Sequence, residues 1–169
     1  INNSVCGFVK TAKISSVNRP SDNQKALRRK YYKYVSSDPY PSIVVIEDVD
    51  DTKGFGAFWG EVNSAIHLGL GVKGLVTDGS VRDIDQWANG FSALAGSICP
   101  SHAYTHILEY GKPVSIFGMD VNEGDVLHFD KHGAVVVPKD NVKELPYIID
   151  KLNKKEATIL KVARSPDFT

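Results

Sequence analysis

Three side chains near the middle of the chain have the types and spacing to handle an anionic, oxygen-rich molecule. Arg82 and Asp83 are adjacent within "GLVTDGSVRDID", and Glu61 precedes Arg82 with twenty residues between them. A guanidinium matches a carboxylate through two parallel hydrogen bonds, so Arg82 is a candidate anion grip. Asp83 could offer an oxygen to Mg²⁺, which takes few protein carboxylates and keeps several waters. Glu61 could then move a proton through a water of the metal's shell. Val62 and Asn63 follow Glu61 at the start of an expected helix, where free backbone amides favour a carboxylate. Composition alone favours a blander account. Adjacent Arg and Asp make an ordinary exposed ion pair, and a lone Glu at a helix start is an ordinary N-terminal charge.

A second group of candidates lies in "SHAYTH" and "LHFDKHG", which contribute His102, His106, His128, Asp130 and His132. Each segment carries a His-x3-His spacing, but both read as loop or strand rather than helix. No HExxH or GxSxG motif occurs, so hydrogen-bonding or structural histidines are favoured over a zinc site or a serine hydrolase. The Gly54-x-Gly56 turn lacks the lysine and hydroxyl of a phosphate-binding loop.

The elements that must position these groups follow from periodicity. Strands are expected at 5–14 and 42–49. A third, Leu75-Val76-Thr77, is expected to break at Asp78-Gly79 and so turn Arg82 and Asp83 outward. Helices are expected at 23–37 and 61–71, the latter with Val62, Ala65, Ile66 and Gly69 as its apolar face, and a short one at 83–90. After Pro113 the chain is β-rich, and a final helix covers 142–163. Strand, helix and strand within about 35 residues prefer a parallel pair with a right-handed crossover. The class is therefore α/β, a single domain over 1–169 with mixed β-sheets and flanking helices.

Bulk properties narrow the function. The chain has 169 residues, with 20 basic and 20 acidic side chains that cancel. That balance excludes an electrostatic footprint for nucleic acid, and the cluster Lys25, Arg28, Arg29, Lys30 and Lys33 reads as a solvated helix face. Cys6 and Cys99 lie outside any CxxC spacing and read as small core residues in a reducing compartment. No apolar run approaches a membrane span and no signal peptide opens the chain, so a cytoplasmic location is expected. Ile1 is not a natural initiator, which suggests that an N-terminal segment has been lost.

Three stretches together resemble a known family. "GEVNSAIHLGLGVKGLVTDGSVRDIDQW" is similar to the family containing regulator of ribonuclease activity A and the class II 4-hydroxy-4-methyl-2-oxoglutarate aldolases. "GKPVSIFGMDVNEGDVLHFDKHGAVVVPKD" resembles its second signature, and "VCGFVKTAKI" its early strand. The resemblance implies a swivelling β/α domain assembled as a homotrimer or dimer of trimers, with sites at subunit interfaces. It assigns Arg82 to the carboxylate of a pyruvate moiety, Asp83 to a divalent cation (Mg²⁺, Mn²⁺ or another), and the amides of Val62 and Asn63 to the substrate. Glu61 stands where the aldolases usually carry aspartate, acting on the leaving hydroxyl through a metal-held water. Glu156, from the last helix of a neighbouring subunit, would support the metal's waters.

The implied reaction is retro-aldol cleavage of a 4-hydroxy-2-oxo acid with release of pyruvate, with oxaloacetate decarboxylation as related chemistry. The ribonuclease-regulator branch shares the fold and much of the Arg-Asp signature but is taken to lack the acidic residue at position 61. A non-enzymatic, ribonuclease-binding protein is thus the alternative. The histidine-rich segments differ from the best-described aldolases. They point to a third possibility, an enzyme for a different oxo or hydroxy acid in which His102 and His128 touch the substrate.

Overall fold

Branched residues on both faces of successive strands build the centre of the molecule. The computed structural model describes residues 4–168; the start at Ile1, and with it the expectation of a lost segment, lies outside them. In chain order the elements are β1 (Val5–Ser15), α1 (Asp22–Val35), β2 (Ser42–Asp48), β3 (Ala57–Trp59), α2 (Glu61–Gly69), β4 (Val72–Val81) and β5 (Ser92–Ile98). There follow β6 (His106–Tyr110), β7 (Val114–Ile116), β8 (Met119–Val121), β9 (Val126–Asp130), β10 (Gly133–Val137) and α3 (Leu145–Ala163). This is the mixed α/β architecture the sequence predicts. The chain divides into two compact units, residues 1–136 and 137–169.

In the first unit β1, β2 and β4 run parallel, with β2 between the other two. Strand β3 also pairs parallel with the end of β4, and β5 runs parallel along it. Since β5 already pairs with Ser80 and Val81, β3 takes up the opposite edge, continuing the line of β2. On the free edge of β1 two antiparallel strands share the length, β9 against Val5–Phe8 and β6 against Ala12–Ser15. The carboxyl ends of β1, β2, β3 and β4 therefore point the same way. Ligands of open α/β sheets gather at that end.

Period-two alternation sends side chains to two apolar layers. Val44, Ile46 and Leu75 pack with Tyr31, Val35, Phe58 and Trp59 on one face. Ile43, Val45 and Val76 pack with Val114, Ile116, Leu127 and Phe129 on the other. Helix α1 starts at a reciprocal capping box, in which Ser21 accepts from the Gln24 amide and Gln24 accepts from the Ser21 amide.

Several expectations are corrected. Strand β4 does not break at Asp78-Gly79 but runs on to Val81, with only a shift of register against β5 between Thr77 and Ser80. The expected helix at 83–90 is a single 3₁₀ turn, Ile84–Gln86. Helix α2 buries Asn63, Ser64 and His67 rather than its apolar stripe, and leaves Val62 62% exposed. Cys6 is exposed and Cys99 half-buried, so neither is a core residue. The sequence reading also passes over β3 and β5, which are short or small-residue strands with little branched patterning.

In the second unit, α3 carries the expected apolar periodicity, but none of its residues is buried. No helix among the described residues is long and apolar enough to cross a membrane.

Candidate active site

The end of β4 is fixed before it reaches Arg82 and Asp83. The Arg82 amide donates to the Trp59 carbonyl at 2.9 Å, continuing the β3 pairing one step further. Its Nη1 donates to the Ala57 carbonyl at 2.9 Å, and Trp87 Nε1 donates to the Arg82 carbonyl at 2.7 Å. These contacts hold the backbone and Nη1, Asp83 engages Nε, and Nη2 has no side-chain or backbone partner among the described residues. Asp83 then adopts a left-handed conformation, φ 54° and ψ 37°, which turns the chain out of the sheet. Aspartate tolerates that region better than most residues. Its Oδ2 lies 3.2 Å from Arg82 Nε.

The N-terminus of α2 meets this pair at Gly60. A Cβ on Gly60 would stand 2.7 Å from Asp83 Oδ2 and 3.2 Å from Arg82 Cγ and Cζ. The first helical bond of α2 runs from the Ser64 amide to the Gly60 carbonyl, so the amides of Glu61, Val62 and Asn63 precede the intrahelical ladder.

A cavity of ≈ 430 Å³ opens here, and Arg82, Val62, Asn63 and His102 all line it. Glu61 and Asp83 flank its wall at the helix start and the strand end without forming part of the lining. His102 arrives on the loop between β5 and β6, which is tied down at both sides. The Ala57 amide donates to the Ser101 carbonyl at 2.9 Å and the Tyr104 amide to the Ser16 carbonyl at 3.1 Å. His128 is not near this cavity. It pairs with Cys6 at the opposite end of β1, so the structure separates it from Arg82 and from a shared substrate. Glu156 belongs to α3 in the second unit, where it is exposed.

Sequence reasoning missed Arg28. It projects from α1 into the same cavity, where its Nε donates to Tyr32 Oη at 3.1 Å and its guanidinium carbon lies 5.6 Å from the Phe58 ring centre. The tyrosines interleaved with the basic cluster were the available signal: Tyr31 is a core residue and Tyr32 is half-buried, so that face of α1 is not wholly solvated.

A network behind the wall orders α2. Asn63 accepts from Tyr32 Oη at 2.9 Å, and its amide group donates to the Phe58 carbonyl. His67 lies fully buried with Nδ1 at 2.7 Å from the Asn63 carbonyl and Nε2 at 2.9 Å from Tyr31 Oη. A carbonyl can only accept, so Nδ1 carries a hydrogen, and in the neutral ring Nε2 accepts from the tyrosine hydroxyl. Burial, reinforced by the charge of Arg28, lowers its pKa to about 4 against the pull of the Asn63 hydrogen bond.

A second network, also absent from the sequence reading, holds the loop that leads into β3. Asp78 Oδ1 accepts from the Asp48 amide at 2.8 Å and its Oδ2 from Lys53 Nζ at 2.6 Å, while Asp48 Oδ2 accepts from the Gly54 amide at 2.7 Å. Asp50 accepts from Ser15, Ser16 and Val17. Burial raises the Asp48 carboxyl above the usual carboxylate range. Burial works in the same direction on Asp50, but its hydrogen bonds outweigh it and hold that carboxyl low.

The donor chemistry suits a hard cation held loosely. Among the described residues no group of three His, Cys, Asp or Glu side chains is placed to hold a metal ion. Asp83 offers one carboxylate, 41% exposed. A single accessible carboxylate fits Mg²⁺ or Mn²⁺, which retain waters and take further oxygens from a substrate, and does not fit a closed zinc site.

Residues 1–136 match the family described as RraA-like (Aldolase/RraA). The chain belongs to the RraA-like family. An uncharacterized protein of Methanocaldococcus jannaschii is 32% identical over 118 residues, covering 69% of this chain and 57% of that relative, so the chain spans little more than half the relative's length. A Halalkalibacterium halodurans protein that bears the provisional name 4-hydroxy-4-methyl-2-oxoglutarate aldolase is 27% identical over 158 residues, covering 92% of this chain and 69% of its own. Among solved structures, Streptomyces coelicolor RraAS2, described as an unusual member of the RNase ES inhibitor RraA family, superposes with a TM-score of 0.68 at 21% identity. That match covers 92% of this chain and 76% of the other, and it shows the fold.

Proposed function

We propose that the chain is a divalent-metal-dependent lyase that cleaves a 4-hydroxy-2-oxo acid and releases pyruvate, with oxaloacetate decarboxylation as a second activity of the same site. The observation that carries the reading is the convergence of Arg82, Asp83 and the start of α2 at Gly60, beside a cavity that no carboxylate lines among the described residues.

Arg82 grips the substrate carboxylate with Nη2 and the second hydrogen of Nη1, since Nε faces Asp83, and the amides of Val62 and Asn63 add donors along the same wall. Asp83 would hold the cation, whose Lewis acidity toward the 2-oxo group makes the adjacent C3–C4 bond easier to break. Glu61 takes the 4-hydroxyl proton through an intervening water. As the C3–C4 bond breaks, C4 becomes a carbonyl and its electron pair passes to C3 and the 2-oxo group. His102, which lines the cavity, would return a proton to C3 and so complete pyruvate. With oxaloacetate the leaving group is carbon dioxide and no hydroxyl proton needs removal.

The reading includes a homotrimer, or dimer of trimers, in which Glu156 from a neighbouring copy would support the cation. The exposed apolar residues of α3, among them Tyr147, Ile149, Leu152 and Ile159, are consistent with a helix that packs on another copy.

The test is pyruvate release from oxaloacetate and from a panel of 4-hydroxy-2-oxo acids with Mg²⁺, followed by EDTA and re-addition of metal. Turnover that EDTA stops and Mg²⁺ restores is expected. Absence of turnover on every substrate would leave the non-enzymatic reading, a protein that binds a ribonuclease, to be examined by co-purification with one.

A further inference from the structure

Arg28 is a cation in the cavity for which the chemistry assigned to Arg82 has no use. It lies on α1, whereas Arg82 ends β4. Arg82 contacts the β3–α2 segment at Ala57 and Gly60, and Arg28 contacts it at Phe58 and Asn63. The two guanidiniums therefore reach one cavity of ≈ 430 Å³ from different elements and with different neighbours.

The surroundings of Arg28 fit a waiting anion site. Its Nε is taken by Tyr32 Oη at 3.1 Å, and one terminal nitrogen reaches Asn63 Oδ1 only at 3.5 Å. Its plane is steadied by the Tyr32 ring, 5.8 Å from the guanidinium carbon, and by the Phe58 ring at 5.6 Å. Among the described residues no carboxylate pairs with it, although Arg82 has Asp83 and most of the other close cation–anion contacts involve lysines. Among the described residues no Asp or Glu lines the cavity, so two fixed positive charges face it, of which Arg82 has Asp83 beside it and Arg28 has no carboxylate partner. An arginine held on aromatic faces with its outer nitrogens free is arranged for planar, two-point recognition of an oxyanion.

We infer that Arg28 is a specificity-determining residue that binds a second anionic group at the far end of the substrate, so that the cavity selects oxo acids with an oxyanion at each end. The distal group is a carboxylate or a phosphate, which a guanidinium receives through the same paired hydrogen bonds. The inference rests on the cavity being the substrate site, as proposed above. It adds a role for α1 that the Arg82–Asp83 chemistry does not require.

Equilibrium binding with Mg²⁺ present, read by tryptophan fluorescence or calorimetry, tests it without relying on turnover. The probes are pyruvate, with one carboxylate; 2-oxoglutarate, with two; and phosphonopyruvate, with a carboxylate and a phosphonate. Wild-type protein should bind at least one of the two-anion probes more tightly than pyruvate. Arg28→Gln should weaken that probe about 10-fold or more while changing pyruvate affinity less than about 2-fold, as expected for loss of a charge-assisted contact at one end only. Arg28→Lys should recover part of the loss, because it restores charge without the fork. The better-binding probe distinguishes carboxylate from phosphate as the distal group. If Arg28→Gln weakens all three probes equally, or none, the assignment of Arg28 is wrong while the cavity reading survives. If the wild-type protein binds none of them and Arg82→Gln makes no difference, the cavity reading falls and this inference falls with it. Circular dichroism of Arg28→Gln separates either result from a failure to fold.

Discussion

Arg82 Nε and Asp83 Oδ2 lie 3.2 Å apart, with the α2 N-terminus pressed against both at Gly60. Cation and anion are thus an ion pair and, at the same time, neighbours at one cavity, which Arg82 lines and Asp83 flanks. Stability and activity measurements can tell which description matters. A pair whose carboxylate side chain is 41% exposed contributes little to folding, on the order of 0–1 kcal/mol. Arg82→Lys and Asp83→Asn should therefore leave the melting temperature nearly unchanged while lowering kcat/KM by about 10²-fold or more, the scale for losing one oriented electrostatic contact. Asparagine is the right probe at 83, because it tolerates the φ of 54° that alanine would resist. Wild-type kinetics in either variant would reduce the pair to an ordinary surface contact.

Much of the first unit was legible because its strands advertise themselves. The run Ser42–Asp48 is apolar on both faces and sits between strands on both sides. The site was legible only in part, since sequence spacing carries no information about partners across space. Strand β4 continues through Asp78-Gly79, normally a turn signal, because Asp78 finds a backbone amide at Asp48 and an ammonium at Lys53. Helix α2 buries polar residues because each has a partner. Ser64 Oγ donates to the Glu61 carbonyl and accepts from the Ala88 amide, and His67 spans Tyr31 and Asn63. Arg28 and His128 show the same limit from opposite sides: a residue read as solvated reaches the cavity, and one expected to touch the substrate stands at the other end of β1.

Gly60 is needed for space rather than for backbone freedom. Its φ of −160° is extended backbone open to any residue, but a Cβ would collide with the Asp83 carboxylate 2.7 Å away. Gly60→Ala should fold, with a stability cost no greater than about 1 kcal/mol for a poorer N-cap. It should lower kcat/KM by about 10- to 100-fold through displacement of Asp83 and Arg82. A crystal structure of the variant with the pair unmoved and activity retained would contradict the close approach as a functional constraint.

The Asp78–Lys53 contact should stabilise the loop that delivers β3 to the cavity. Asp78 is 5% exposed at its side chain and Lys53 46%, so solvent screens the ion pair itself. The larger loss on removing the carboxylate is the buried acceptor for the Asp48 amide. Asp78→Ala should cost about 1–3 kcal/mol in urea denaturation, the penalty for an unsatisfied buried donor. Asp78→Asn keeps an acceptor and should cost less. Equal losses in both variants would mean that charge, not hydrogen bonding, dominates.

His67 gives the fold a pH dependence of defined sign. Its pKa lies at about 4 in the folded protein, against 6.5 for an ordinary imidazole. The unfolded chain therefore binds the extra proton first as the pH falls, and unfolding becomes easier. The contribution is fully present above about pH 6.5 and is lost progressively as the pH falls through about 4. Its size is on the order of 3 kcal/mol by linkage. Asp48, whose carboxyl is raised by burial, opposes this trend by favouring the folded state as it protonates. The variant His67→Gln removes one titration and leaves the other. Denaturant midpoints measured from pH 7 to pH 4 should then fall more steeply in the wild-type protein than in the variant. Parallel slopes would show that His67 is not the buried neutral imidazole that locks α2 behind the cavity wall.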